Sequence, residues 1–133
     1  MLAYHVSAHR LDAHGSLVSA KEASLIADTD LQGRVDAMNP VELLLASLSA
    51  CLLKGAERVL PMLDFKLRGL SVELHAVRQD SPPKLISIDY VLTVDTDETD
   101  HRIELLHKNI RKYGTISNTL ALAVPIEGKI VRG

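Results

Sequence analysis

The segment from Asn39 to Lys54, Asn-Pro-Val-Glu-Leu-Leu-Leu-Ala-Ser-Leu-Ser-Ala-Cys-Leu-Leu-Lys, constrains the fold more than any other part of the chain. Asn39 is a good helix N-cap, Pro40 suits the first helical position, and Glu42 stands where a capping box places its acid. The helix is predicted to run to about Leu60, with Pro61 as its stop. From Val41 to Leu53 it carries Val, Leu and Ala on nearly every face, and only Glu42, Ser47 and Ser49 interrupt. A helix that is apolar all round has to be covered on all sides. In a chain of 133 residues, such cover calls for a wrapped sheet and a second subunit. Beyond Lys54, Glu57 and Arg58 restore a solvated face.

The flanking segments read mostly as strands. Short alternating runs around the turn signal His14-Gly15 make Leu2 to Arg10 and Ser16 to Ala20 a hairpin, with Ala23 to Ala27 a third strand. The polar stretch Asp28 to Arg34 is a loop. Leu67 to Arg78 and Lys84 to Val94 alternate as two long strands joined through Gln79-Asp-Ser-Pro-Pro83, and Ile86, Ile88, Tyr90, Leu92 and Val94 share one face. Asp97 to Lys112 is a second helix with acids at its start, bases at its end and Gly114 as a stop. Its apolar stripe is Ile103, Leu106 and Ile110. Thr115 to Leu120 reads as one more helical turn, and Ala121 to Val131 as a strand broken near Pro125 and Gly128. The order implies a single α+β domain over residues 1–133, a curved antiparallel sheet wrapped around a long central helix.

Composition removes several function classes. A net charge of −2 gives no electrostatic reason to expect nucleic acid or an anionic membrane, and 3% aromatic residues leave no base-stacking platform. No run has signal-peptide character or membrane-spanning length, so a soluble cytoplasmic protein is expected. The histidines form no metal pattern: His5 and His9 lie on a presumed strand, and His101 and His107 are on different faces of a helix. Gly33 and Gly128 are isolated, so no phosphate loop or dinucleotide fingerprint is present. Neither a metal nor a cofactor is expected. Ser47 and Ser49 read as small packing residues.

The one chemically reactive candidate is Cys51, the only cysteine, which cannot form an internal disulfide. A free cysteine in an apolar helix is commonly a small packing hydrophobe. The same residue, exposed to a substrate and held as thiolate, is a nucleophile.

Two segments together resemble the OsmC/Ohr family of thiol peroxidases. The first is Asn39-Pro40 with Glu42-Leu43-Leu44 and, twelve residues after the Asn, Cys51. The second is Gly114-Thr-Ile-Ser-Asn-Thr-Leu120, which is similar to the family's Cys-Pro-aliphatic-Ser motif. The order of strands and helices matches over essentially the whole chain. The family's resolving cysteine falls at Gly114 and its proline at Thr115, and Val41 stands where many peroxidase members have an acid. The Pro-Val-Glu-Leu-Leu-Leu form is closer to the OsmC-like branch.

The resemblance implies an intertwined homodimer and a stress-response role: reduction of an organic hydroperoxide by Cys51, with an external thiol as reductant. Cys51 lies about three turns into its helix, too deep for the helix dipole to help the thiolate. The activating cation is then expected from a loop or a partner subunit, with Arg34 the best positional match and Arg10 and Lys54 behind it. Glu42, two and a half turns before Cys51, is placed to orient the arginine rather than touch the sulfur. The alternative is a non-catalytic OsmC-like protein whose pocket binds an apolar small molecule, with Cys51 merely lining it.

Overall fold

The computed structural model describes Met1–Gly133 and divides into two compact units, Met1–Leu44 and Leu45–Gly133. In the first unit, β1 (Ser7–Asp12), β2 (Gly15–Ala20) and β3 (Ala23–Asp28) form an antiparallel sheet in that order. The β1–β2 turn is fixed by the Asp12 carboxylate, which accepts from the backbone N–H of His14 at 2.8 Å and of Gly15 at 3.1 Å. β1 begins at Ser7 rather than at Leu2, as the alternation had implied. The loop after β3 is tied back by Asp28, whose N–H donates to the Met38 carbonyl at 2.8 Å. Its carboxylate, on a residue only 6% exposed, accepts from the backbone N–H of Asp30 and of Arg34.

The long helix α1 (Pro40–Leu63) starts as the sequence implies. Asn39 Oδ1 accepts from the N–H of Glu42 and Glu42 Oε1 accepts from the N–H of Asn39, both at 2.9 Å, a complete capping box. Its end differs from expectation. Pro61 lies inside the last turn, where it removes one backbone donor without breaking the helix. The stop is Asp64, in the left-handed region at φ 47°. There Phe65 N–H reaches back to the Leu60 carbonyl at 3.0 Å and Asp64 N–H to that of Pro61 at 3.4 Å. This is the Schellman arrangement with an aspartate where glycine is usual.

In the second unit, β4 (Gly69–Gln79), β5 (Lys84–Asp95) and β6 (Ile126–Arg132) form a sheet in that order. β4 and β5 pair antiparallel through a long hairpin, but β6 lies parallel to β5, so this sheet is mixed rather than antiparallel throughout. The connection explains the direction: α2 (Asp100–Lys112) and α3 (Thr115–Leu120) carry the chain back over the sheet before β6, as a parallel pair requires. β6 is continuous through Gly128 and starts only after Pro125. α2 begins three residues later than the acidic run implied. Thr99 is its cap, accepting from the N–H of Arg102, while Asp97 pairs with Arg68 at 2.8 Å.

Alternation on β5 buries Ile88, Tyr90, Leu92 and Val94 on one face. Against them pack Leu48, Leu52, Ala56 and Val59 of α1 and Ile103, Leu106 and Ile110 of α2, all 5% exposed or less. The spacing on α1 is a single helical stripe. Leu45, Leu60 and Leu63 are partly buried against the same core, while Leu53 at 37% and Met62 at 56% are exposed in the single chain.

Candidate functional site around Cys51

Cys51 follows Leu48 and precedes Leu52 and Gly55 on the α1 stripe, so the helix that fills the core also carries the thiol at its margin. The residue is half-buried and makes no disulfide. Two glycines let neighbouring backbone come close. A β-carbon on Gly55 would stand 3.4 Å from Ile110 Cγ2 and 3.5 Å from its carbonyl oxygen, so α2 crosses α1 at this point. A β-carbon on Gly114 would stand 3.4 Å from Cys51 Sγ.

Gly114 has φ −80° and ψ 107°, a conformation open to any residue, so its smallness rather than its flexibility matters. It caps α3, and its carbonyl accepts from Ser117 Oγ at 3.1 Å. Ser117 is 1% exposed, and its hydroxyl occupies the space into which a larger side chain at 114 would grow. The two motifs singled out in the sequence therefore meet in space: the thiol of the first lies against the glycine that opens the second.

Of the other sequence candidates, Arg10, Arg34 and Glu42 lie in the first unit and Lys54 on α1 in the second. Arg34 is held by Asp36 in a fork, Nε to Oδ1 at 2.7 Å and Nη2 to Oδ2 at 2.9 Å, and its Nη1 donates to the His14 carbonyl at 3.3 Å. The hydrogen-bonded carboxylate of Asp36 raises the pKa of Arg34 further, and in return Arg34 holds Asp36 below its ordinary range. Nearby, Asp30 is also held low, first by the N–H of Gln32 and then by His14, 2.6 Å away. Glu42 is exposed and engaged with Asn39 in the capping box. Arg10 and Lys54 are exposed, on β1 and α1.

A second polar constellation escaped sequence reasoning. Tyr90, 1% exposed on the core face of β5, sends its hydroxyl to His107 Nε2 at 2.6 Å, and Arg111 Nη1 donates to the same oxygen at 3.2 Å. Arg111 also stacks its guanidinium 5.7 Å from the ring centre. The ring has room because Gly128 is its register partner on β6, and a β-carbon there would overlap it. The available signal was the spacing of His107 and Arg111, one turn apart on α2.

The family model described as OsmC-like protein matches residues 32–129. No curated protein matches the sequence. Among solved structures, the fold is similar to that of an OsmC-like protein from Mycoplasma pneumoniae, with TM-score 0.91 and 17% identity over 98% of this chain and 97% of that one. It is also similar to an organic hydroperoxide resistance protein OsmC from Legionella pneumophila, with TM-score 0.72, 18% identity and coverage of 98% and 97%. The organic hydroperoxide resistance protein OhrB of Bacillus subtilis matches with TM-score 0.66, 16% identity and coverage of 98% of both chains. At these identities the likeness is one of fold.

Proposed function

Since the chain belongs to the OsmC-like protein family, we propose that it is a one-cysteine thiol peroxidase that reduces organic hydroperoxides with an external thiol, in a cytoplasmic stress response. The observation that carries this reading is the placement of Cys51, half-buried on an apolar helix with its sulfur facing a residue that has no side chain.

In this reading the Cys51 thiolate attacks the distal peroxide oxygen and the O–O bond breaks. The sulfur becomes a sulfenic acid, and the alkoxide takes a proton and leaves as an alcohol. With glycine at 114, no second cysteine closes a disulfide. An external thiol attacks the sulfenic sulfur and releases water. A second thiol then attacks the mixed disulfide, restoring Cys51 and leaving the reductant as a disulfide. The apolar side chains of α1 suit a peroxide with an apolar tail. Arg34 supplies the cation that favours the thiolate, and Glu42 orients it, alongside the Asp36 carboxylate that already holds it.

A homodimer belongs to the same reading. Leu31 at 103%, Val35 at 106% and Leu122 at 92% exposure are large apolar side chains that a single chain leaves in water.

A second reading, a non-catalytic binder of an apolar small molecule, is favoured by the ion pair that already satisfies Arg34 and by the glycine at 114. Consumption of an organic hydroperoxide with glutathione or dithiothreitol as electron donor separates the two. The peroxidase turns over and Cys51→Ser abolishes it; the binder gives no consumption above the thiol alone.

A further inference from the structure

We propose that Tyr90, His107 and Arg111 form an acid-sensitive latch: protonation of His107 loosens the C-terminal half of α2 from the sheet and bares the Cys51 thiol. The proposal goes beyond the peroxidase reading and does not require turnover.

The geometry assigns the protons. Arg111 can only donate, and it donates to the Tyr90 hydroxyl oxygen. The hydroxyl's own proton is then available to His107 Nε2, 2.6 Å away, which accepts it only as the unprotonated ring nitrogen. Protonated His107 would aim an N–H at the oxygen that already accepts from Arg111. It would also set a second cation beside the guanidinium in a half-buried position. Burial first, and the charge of Arg111 second, hold the His107 pKa below its ordinary value.

No compensating charge faces the ring. β5 presents Tyr90, β6 presents Gly128, which has no side chain, and α2 presents Arg111 one turn on. Glu104 and Lys108 on α2 are exposed, and no carboxylate pairs with either His107 or Arg111.

The latch connects to the thiol through one face of α2. His107 and Ile110 are three residues apart on α2, and Gly114, two residues beyond the helix end, packs at the Ile110 carbonyl, 3.4 Å from where its β-carbon would stand. Ile110 is fully buried against α1 at Gly55, and Gly114 lies against Cys51. A helix end released at His107 therefore withdraws the packing next to the sulfur.

The test is the rate at which 4,4′-dithiodipyridine modifies Cys51, divided by its rate with a free model thiol at the same pH. From about pH 7.5 to about pH 5 the ratio should rise severalfold in the wild type. It should stay flat in His107→Gln, which accepts from Tyr90 but does not titrate, and be raised at both pH values in Tyr90→Phe. A flat wild-type ratio, or the same rise in His107→Gln, overturns the latch. Should a variant not fold, hydrogen exchange in the wild type decides alone. Amides 105–113, corrected for intrinsic rates, should exchange faster at the lower pH while β4 and β5 stay protected. Unchanged exchange there overturns the proposal equally.

Discussion

Cys51 Sγ lies 3.4 Å from the point where a β-carbon on Gly114 would stand, although an entire β-hairpin and a helix separate the two residues in the chain. In a disulfide the β-carbon of one cysteine sits roughly 3.0 Å from the sulfur of the other. Gly114→Cys is therefore expected to form an internal disulfide with Cys51 on mild oxidation, once Ser117 Oγ rotates aside. The check is the loss of both free thiols with no dimer on a non-reducing gel. Two thiols that both stay free under oxidant would show that the two segments are not neighbours as described.

Gly128 is required by the Tyr90 ring rather than by its own backbone. Gly128→Ala puts a methyl group into that ring, so the strand or the tyrosine must shift. The expected loss is about 1–3 kcal/mol, the usual range for overpacking, read from urea unfolding. Ile126→Val on the same strand serves as the control and should lose less.

Glu42 serves the capping box in the structure and the arginine in the proposed chemistry, and one substitution separates the roles. Glu42→Gln keeps the oxygen that accepts from Asn39 N–H and is itself a capping-box residue. Stability should be unchanged within about 0.5 kcal/mol. A slower reaction of Cys51 with hydroperoxide would then assign the lost charge to chemistry, and an unchanged rate would leave Glu42 with the cap alone.

Global stability should fall in mild acid because of His107. Its folded pKa lies below its unfolded value, which is about 6.5. At pH above that value both states are unprotonated and the folded state keeps its full stability. As pH drops through about 6.5, the unfolded chain takes up a proton that the folded state refuses, and stability declines until the folded pKa is reached. Thermal melts across this window should show a slope that His107→Gln reduces.

Local grammar made most of the elements legible in the sequence. The capping box at Asn39 and Glu42, the alternation of β5 and the turn at His14-Gly15 are each decided by neighbours a few residues apart, and each stands where it was expected. The differences arise where distant partners decide. β6 runs parallel to β5 because of the path of α2 and α3, which no periodicity within β6 records. α1 passes Pro61 because Asp64 takes the left-handed cap. At the site, the pairing of the two motifs follows from the resemblance, and the structure adds the contact between Cys51 and Gly114. The Tyr90–His107–Arg111 cluster joins a strand to a helix, and only the tertiary fold brings its members together.

The most direct test of the proposed chemistry is a trap for its first product. Reduced protein is treated with one equivalent of cumene hydroperoxide in the presence of dimedone, and the peptide bearing Cys51 is weighed by mass spectrometry. The dimedone adduct is expected on Cys51 within the dead time of manual mixing, with a roughly tenfold or greater slowing in Arg34→Ala. A thiol that remains free and unmodified under excess hydroperoxide would contradict the assignment of Cys51 as nucleophile.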